Sequence, residues 1–103
     1  MTPAVGLSSY VTLSALLFLI GVAGVVLRRN PLIMLMGIEL MLNAANLALV
    51  AFSRAWGNNA GQVFSFIVII VAAAEAAIGL AITVVVFNRS ERVDVDDVTL
   101  LKG

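Results

Sequence analysis

Residues 62–87 read QVFSFIVIIVAAAEAAIGLAITVVVF, a run of 26 positions whose single charged side chain is Glu75. An α-helix of this length rises about 39 Å at 1.5 Å per residue, and a hydrocarbon core is about 30 Å thick. Val and Ile are frequent here and favour strands in water, but the length and continuous apolarity of the run predict a helix. The stretch therefore predicts a transmembrane helix.

Two further apolar runs precede it. The first has no charged residue, and the second begins at Pro31, a favoured first-turn residue, and contains only Glu39. The composition is 62% hydrophobic and 12% charged with a mean hydropathy of +1.13, whereas soluble domains are roughly half apolar and a quarter charged. We predict an all-α membrane protein with a single domain over residues 1–103. Its expected segments are helices at 6–27, 31–53 and 62–87 and a tail at 88–103.

The basic residues predict how the helices are oriented. Three spans place the loop after the first helix and the C-terminal tail on one side of the membrane. That side collects five of the six basic residues, and the opposite side has only Arg54. Because positive loops stay in the cytoplasm, the N-terminus is expected outside, on the periplasmic side, and the C-terminus inside. The five are Arg28, Arg29, Arg89, Arg92 and Lys102. The expected location is the inner (plasma) membrane.

The composition also limits the chemistry of this chain. It has no His and no Cys, so haem, iron–sulfur clusters and ordinary zinc sites have no ligands here. Its net charge is zero, which gives no electrostatic basis for binding nucleic acid. Any redox chemistry is therefore expected in partner subunits.

Two carboxyl groups in the membrane, those of Glu39 and Glu75, are the features to explain. An ionised carboxylate at the centre of a bilayer helix costs about 2.5–3.5 kcal/mol on insertion scales. Protonation, a cationic partner or a water-filled cavity can offset this cost. No Lys or Arg lies inside the three runs, so the chain supplies no cation at that depth. Because burial favours the neutral form, such groups are suited to taking up and releasing protons.

Depth along the helices places the two glutamates together. Counted from the cytoplasmic ends, Glu39 lies about 12 Å and Glu75 about 18 Å into the membrane. If their helices are neighbours, one or two waters could link the carboxyls. Asn43 and Asn46 follow Glu39 on one helix face, and they fit a proton pathway and interhelical hydrogen bonding equally well. The structural alternative for the glutamates is a buried ion pair that fixes helix register.

Three motifs, in their order and spacing, match one family over nearly the whole chain. They are Arg28-Arg29-Asn30, residues 37–44 (GIELMLNA) and residues 72–80 (AAAEAAIGL). The chain resembles the K subunit, or 4L-type subunit, of bacterial NADH–quinone oxidoreductase, respiratory complex I.

The resemblance implies a function and a set of partners. It implies a membrane-arm subunit between the quinone-reducing region and the antiporter-like subunits of a proton-translocating enzyme. Glu39 and Glu75 would be proton-relay groups, and Arg28 and Arg29 would be loop arginines that affect coupled activity. Asn43 and Asn46, on the same helix face as Glu39, are expected to support the proton pathway. NADH, FMN, iron–sulfur clusters and quinone would bind in partner subunits, and this chain would bind no cofactor.

Two alternatives stay open from the sequence. The C subunit of Mrp-type sodium/proton antiporters has a similar three-helix layout, although the two mid-membrane glutamates and the twin arginines favour the complex I subunit. A purely structural assembly subunit is the other. It predicts that neutralising either glutamate leaves pumping intact.

Overall fold

The computed structural model describes residues 5–89 and consists there of three α-helices. All three are long and apolar enough to cross a membrane, which confirms the predicted all-α architecture. The first begins one residue later than predicted, the second ends two residues later, and the third extends two residues further at each end. Residues 90–103, with Arg92 and Lys102, lie outside the described residues. The helices are α1 Leu7–Leu27, α2 Pro31–Ala55 and α3 Ala60–Arg89.

Helix α2 lies between the other two helices and contacts both of them. Gly37 and Ala44 lie on its α1 side, and Leu35 and Ser53 contact α3. Positions 35 and 37 are two residues apart and therefore project about 200° apart around the helix. The neighbours consequently pack on opposite faces of α2, and each of the three helices keeps a broad outward surface.

Helices α1 and α2 cross at a pair of glycines. A Cβ atom on Gly21 would lie 2.6 Å from the carbonyl oxygen of Gly37, and one on Gly37 would lie 2.7 Å from that of Gly21. Only residues without side chains allow backbones to approach this closely. Near the crossing, the Ser14 hydroxyl donates a hydrogen bond to the carbonyl oxygen of Ala44, which is fully buried. This bond ties the helices together with a polar group that lipid could not satisfy.

Helix α3 packs on α2 through a face of small residues. Gly61 lies at the start of α3, and Gly79 lies about two-thirds of the way along it. A Cβ on Gly61 would be 2.7 Å from Cβ of Ser53, and one on Gly79 would be 3.1 Å from Cδ1 of Leu35. The contact extends over most of the α3 length and defines what we call the α2–α3 seam. Its α3 side includes Gly61, Ser65, Ala72, Ala76, Gly79 and Thr83, all buried or half-buried.

A tight turn joins α2 to α3. The amide of Asn58 donates to the carbonyl of Ser53 and that of Gly57 to the carbonyl of Arg54, at 3.1 and 3.2 Å. Gly57 has a φ of 68°, and this left-handed conformation with these two bonds is the Schellman motif that ends many helices. The Asn58 side chain then accepts from the amide of Ala60 at 3.0 Å. The turn fixes the antiparallel register of α2 and α3.

The described region has a very small core. Ala44 and Ala72 are its buried hydrophobic residues, whereas large side chains such as Val26, Leu27 and Ile78 are more than half exposed. A water-soluble protein buries such side chains. Lipid or partner subunits must therefore cover the outer surface.

We predict that Gly21→Ala lowers the free energy of unfolding by about 1–3 kcal/mol, since its methyl group would overlap Gly37 and Met41. Gly24→Ala is the matched control, because its Cβ would lie 3.7 Å from Cα of Gly37 in ordinary contact. Both variants gain the same helix propensity. The difference between their free energies of unfolding therefore reports the steric overlap of the methyl group added at position 21 with α2. The measurement is thermal unfolding of the detergent-solubilised protein. Equal midpoints for the two variants would contradict the close crossing.

Candidate functional site

The two intramembrane glutamates lie at the same depth. Leu35 of α2 contacts Gly79 of α3, and the two helices run antiparallel. Glu39 follows Leu35 by four residues, and Glu75 precedes Gly79 by four. Both positions are therefore displaced about 6 Å from the contact in the same direction. The packing brings the glutamates level, closer in depth than the 6 Å offset expected from sequence counting alone.

The two side chains have different surroundings. Glu39 is half-buried, and its Oε1 atom is inaccessible to solvent without a hydrogen-bond partner among residues 5–89. Glu75 is exposed on the surface of the described region. A buried carboxyl oxygen without a donor is costly, particularly when the group is charged. One glutamate is thus partly enclosed by this chain, and the other faces its surroundings.

The glutamates leave the α2–α3 seam on opposite flanks. Glu39 is rotated about 40° around α2 from Leu35, in the direction of increasing residue number. Glu75 is rotated about 40° around α3 from Gly79, in the direction of decreasing number. Because the helices are antiparallel, these rotations carry the side chains to different sides of the line of contact. The described residues show no hydrogen bond between them, and the water link predicted from the sequence stays a prediction.

The two asparagines next to Glu39 differ in burial. Asn46 is 7% exposed, and its Oδ1 has no hydrogen-bond partner within residues 5–89. Asn43, one turn from Glu39, is exposed. Only Asn46 is thus enclosed by the packing of α2, two turns from Glu39. A buried amide oxygen without a donor is a place where a bound water would be stabilised, provided that the site has room for it.

Small side chains separate the two glutamates. Ala72 is buried and Ala76 half-buried on the α3 side of the seam, on either side of Glu75 in the sequence. Side chains of this size let the two helices lie close together. They also place fewer atoms between Glu39 on one flank and Glu75 on the other than Leu or Ile side chains would. The seam is therefore narrow at the depth of the glutamates.

The twin arginines lie away from this pair. Arg28 and Arg29 are exposed in the loop between α1 and α2, and α2 begins behind Asn30, whose side chain accepts from the amide of Leu32 at 2.8 Å. The first turn of α2 is about 12 Å in depth from Glu39. Of the predicted site residues, the packing therefore places Glu39 and Glu75 on the two flanks of the seam and encloses Asn46. It leaves Arg28, Arg29 and Asn43 at the surface.

Buried hydroxyl groups are the feature that the sequence analysis missed. Ser14, Ser53, Ser65 and Thr83 are each less than 9% exposed. Three have visible partners: Ser14 donates to Ala44 and Ser53 to the carbonyl of Asn58, and Thr83 donates to the carbonyl of Gly79 at 2.8 Å. Ser65 lies in the seam. The sequence pattern that could have predicted their burial is that these hydroxyl residues share helix faces with glycine and alanine. Residues 5–89 contain no group of three His, Cys, Asp or Glu side chains that could hold a metal ion.

Comparison with known proteins gives a consistent result. The family model described as "NADH-ubiquinone/plastoquinone oxidoreductase chain 4L" matches residues 9–103. NADH-quinone oxidoreductase subunit K 1 of Symbiobacterium thermophilum is 61% identical over 100 residues, 97% of this chain and 98% of the relative. NADH-quinone oxidoreductase subunit K of Roseiflexus castenholzii is 54% identical over 96 residues, 93% and 96% of the two chains.

These matches confirm the resemblance seen in the motifs, and they favour the quinone oxidoreductase over the antiporter alternative. They cover almost the full length of both relatives, so the likeness is not restricted to one helix. The chain belongs to the NADH-ubiquinone/plastoquinone oxidoreductase chain 4L family, which includes subunit K of NADH–quinone oxidoreductase (complex I).

Proposed function

We propose that this subunit moves protons through the membrane arm of complex I, with Glu39 and Glu75 as the relay groups coupled to quinone reduction. The observation that carries the proposal is the Oε1 atom of Glu39. It is buried without a hydrogen-bond donor inside a 25-residue apolar helix. No structural contact within residues 5–89 stabilises that oxygen as an anion, so a purely structural carboxylate is a poor explanation for it.

A proton relay accounts for this environment. Charging a carboxyl group in hydrocarbon is costly, and taking up a proton removes that cost. Releasing the proton becomes favourable only when water or a cation reaches the group. The protonation state of Glu39 can therefore respond when a neighbouring subunit brings water or a cation to it. Coupling to a distant redox reaction requires such a response.

The positions of Glu39 and Glu75 on opposite flanks of the seam define the path of the proposed relay. Glu39 and Glu75 are level but leave the seam on opposite sides, so each would face a different neighbour in the assembled membrane arm. The proton would then cross this subunit in the plane of the membrane, over the narrow part of the seam at Ala72 and Ala76. Water bound near the unpartnered amide oxygen of Asn46 would extend the polar path on the Glu39 side.

Other roles follow from position. Arg28 and Arg29 would act from the cytoplasmic loop, and Asn43 would face a partner at the surface. The proposed partners are the antiporter-like subunits and the subunits near the quinone site. This chain would bind no cofactor, while NADH, FMN, iron–sulfur clusters and quinone would bind in those other subunits. The multi-pass protein is proposed to lie in the cell membrane.

Glu39→Gln tests the relay directly, because Gln keeps the size and polarity of Glu but carries no proton. NADH-driven proton pumping in inverted membrane vesicles is expected to fall about 100-fold, at the lower end of what a positioned proton-transfer group contributes. Oxidation of NADH by a water-soluble artificial acceptor, which bypasses quinone, should persist. The complex is quantified in the same membranes.

Glu39→Asp is the matched control, since it keeps a titratable group on a shorter side chain. It should retain much more pumping than Glu39→Gln at equal assembly. If Glu39→Gln pumps normally in a fully assembled complex, the relay role of Glu39 is wrong and the structural alternative gains support.

Glu75→Gln tests whether the two groups act in series. In a single path, either substitution blocks the same proton, so the double variant Glu39→Gln/Glu75→Gln should pump no less than the worse single variant. Independent paths predict multiplied losses instead. The measurement is the initial pumping rate per assembled complex for the three variants.

The proposed orientation is tested with single cysteines, because the natural chain has none. In spheroplasts, a membrane-impermeant maleimide should label Asn59→Cys in the α2–α3 turn. It should label Arg28→Cys only after permeabilisation. The reverse pattern would place the N-terminus in the cytoplasm.

A further inference from the structure

A groove opens where α1 begins and α2 ends, at the end of the bundle opposite the twin arginines. It has a volume of about 390 Å³, and its lining includes Leu7 and Tyr10 from α1 and Leu47, Val50 and Arg54 from α2. We call it the end groove. Neither Glu39 nor Glu75 contributes to it, so it is separate from the proposed relay.

The end groove combines one positive charge with apolar walls. Arg54 is exposed in the last turn of α2, and within residues 5–89 its guanidinium has no ion-pair or hydrogen-bond partner. No acidic residue lines the groove. A guanidinium binds phosphate through paired hydrogen bonds. The charge of the groove therefore favours an anionic ligand.

The depth of these residues matches a lipid molecule. Arg54 lies about 35 Å along α2 from Pro31, which places it at the membrane–water interface when α2 spans the bilayer. Leu47 lies about 10 Å deeper along the same helix. The polar end of the groove is thus at headgroup level, and its apolar walls continue into the hydrocarbon region.

The start of α1 adds to the positive potential of the groove. The N-cap residue is Gly6, so no side chain satisfies the first amides of the helix. The N-terminus of a 21-residue helix carries partial positive charge. This contribution supplements the full charge of Arg54, which is the main source of positive potential in the groove.

We infer that the end groove binds an anionic phospholipid, with the phosphate against the Arg54 guanidinium and an acyl chain along Leu47 and Val50. The phenol of Tyr10 would lie beside the polar part of the lipid, where Tyr side chains are favoured. The bound lipid would fill a gap between α1 and α2 that the small core of this chain leaves open.

The test uses the assembled complex in native membrane particles and a phosphatidylglycerol with a photoreactive diazirine on its acyl chain. After illumination, mass spectrometry of the subunit identifies the labelled residues. Label is expected within residues 5–10 and 47–55. Arg54→Gln should lower labelling at 47–55 about fivefold, the equivalent of about 1 kcal/mol for one basic residue near an anionic lipid.

Two matched variants and a second probe complete the design. Arg54→Lys keeps the charge and should retain most of the label, and Asn59→Gln, outside the groove, should not change it. A phosphatidylcholine probe should label these residues more weakly than phosphatidylglycerol. No label at these residues in the wild-type complex, as when a partner subunit fills the groove, overturns the inference. Equal labelling of wild type and Arg54→Gln, or by both lipids, overturns it as well.

Discussion

Hydrocarbon offers no hydrogen bonds, and this constraint acts most strongly on α2. This helix lies between the other two and contains Glu39, Asn43 and Asn46 in its middle. The neighbouring helices meet it mainly through glycines, alanines and hydroxyl residues. Close approach at Gly21 and Gly37 then brings polar groups into bonding distance, as with Ser14 and the carbonyl of Ala44. The fold thus depends on keeping α2 enclosed on two faces.

The same packing explains why large apolar residues lie outside. In water, burial of Leu and Ile drives folding, but between helices in lipid this driving force is absent. Small residues give close van der Waals contact, and the bulky residues are equally well solvated by lipid. A chain with so little core of its own gains little from folding alone, so partner subunits must contribute to its stability. Membership in a multisubunit oxidoreductase is consistent with that requirement.

The sequence was sufficient for the three helices and for the approximate position of each glutamate along its helix, because apolar length and residue counting depend only on helix geometry. The packing of α3 on α2 was needed to show that the two glutamates are level. The sequence was not sufficient for the direction in which each glutamate points. Helices that are apolar on all sides carry no amphipathic signal of their inner face. The faces became clear only from contacts such as Leu35 with Gly79, which fix the register and rotation of α3 on α2. The contrast between buried Asn46 and exposed Asn43 has the same origin.

The opposite flanks of Glu39 and Glu75 bear on how a relay and a rigid scaffold can coexist. Two carboxyls on the same flank would repel each other when charged and could share one proton. On opposite flanks, each would exchange protons with its own neighbour in the proposed relay, while the small-residue seam between them keeps the helices in register. In the proposed relay, transfer would depend on transient water at the seam rather than on movement of α2 or α3. A subunit built in this way would be able to carry out the proposed transfer without losing the close contacts that hold it together.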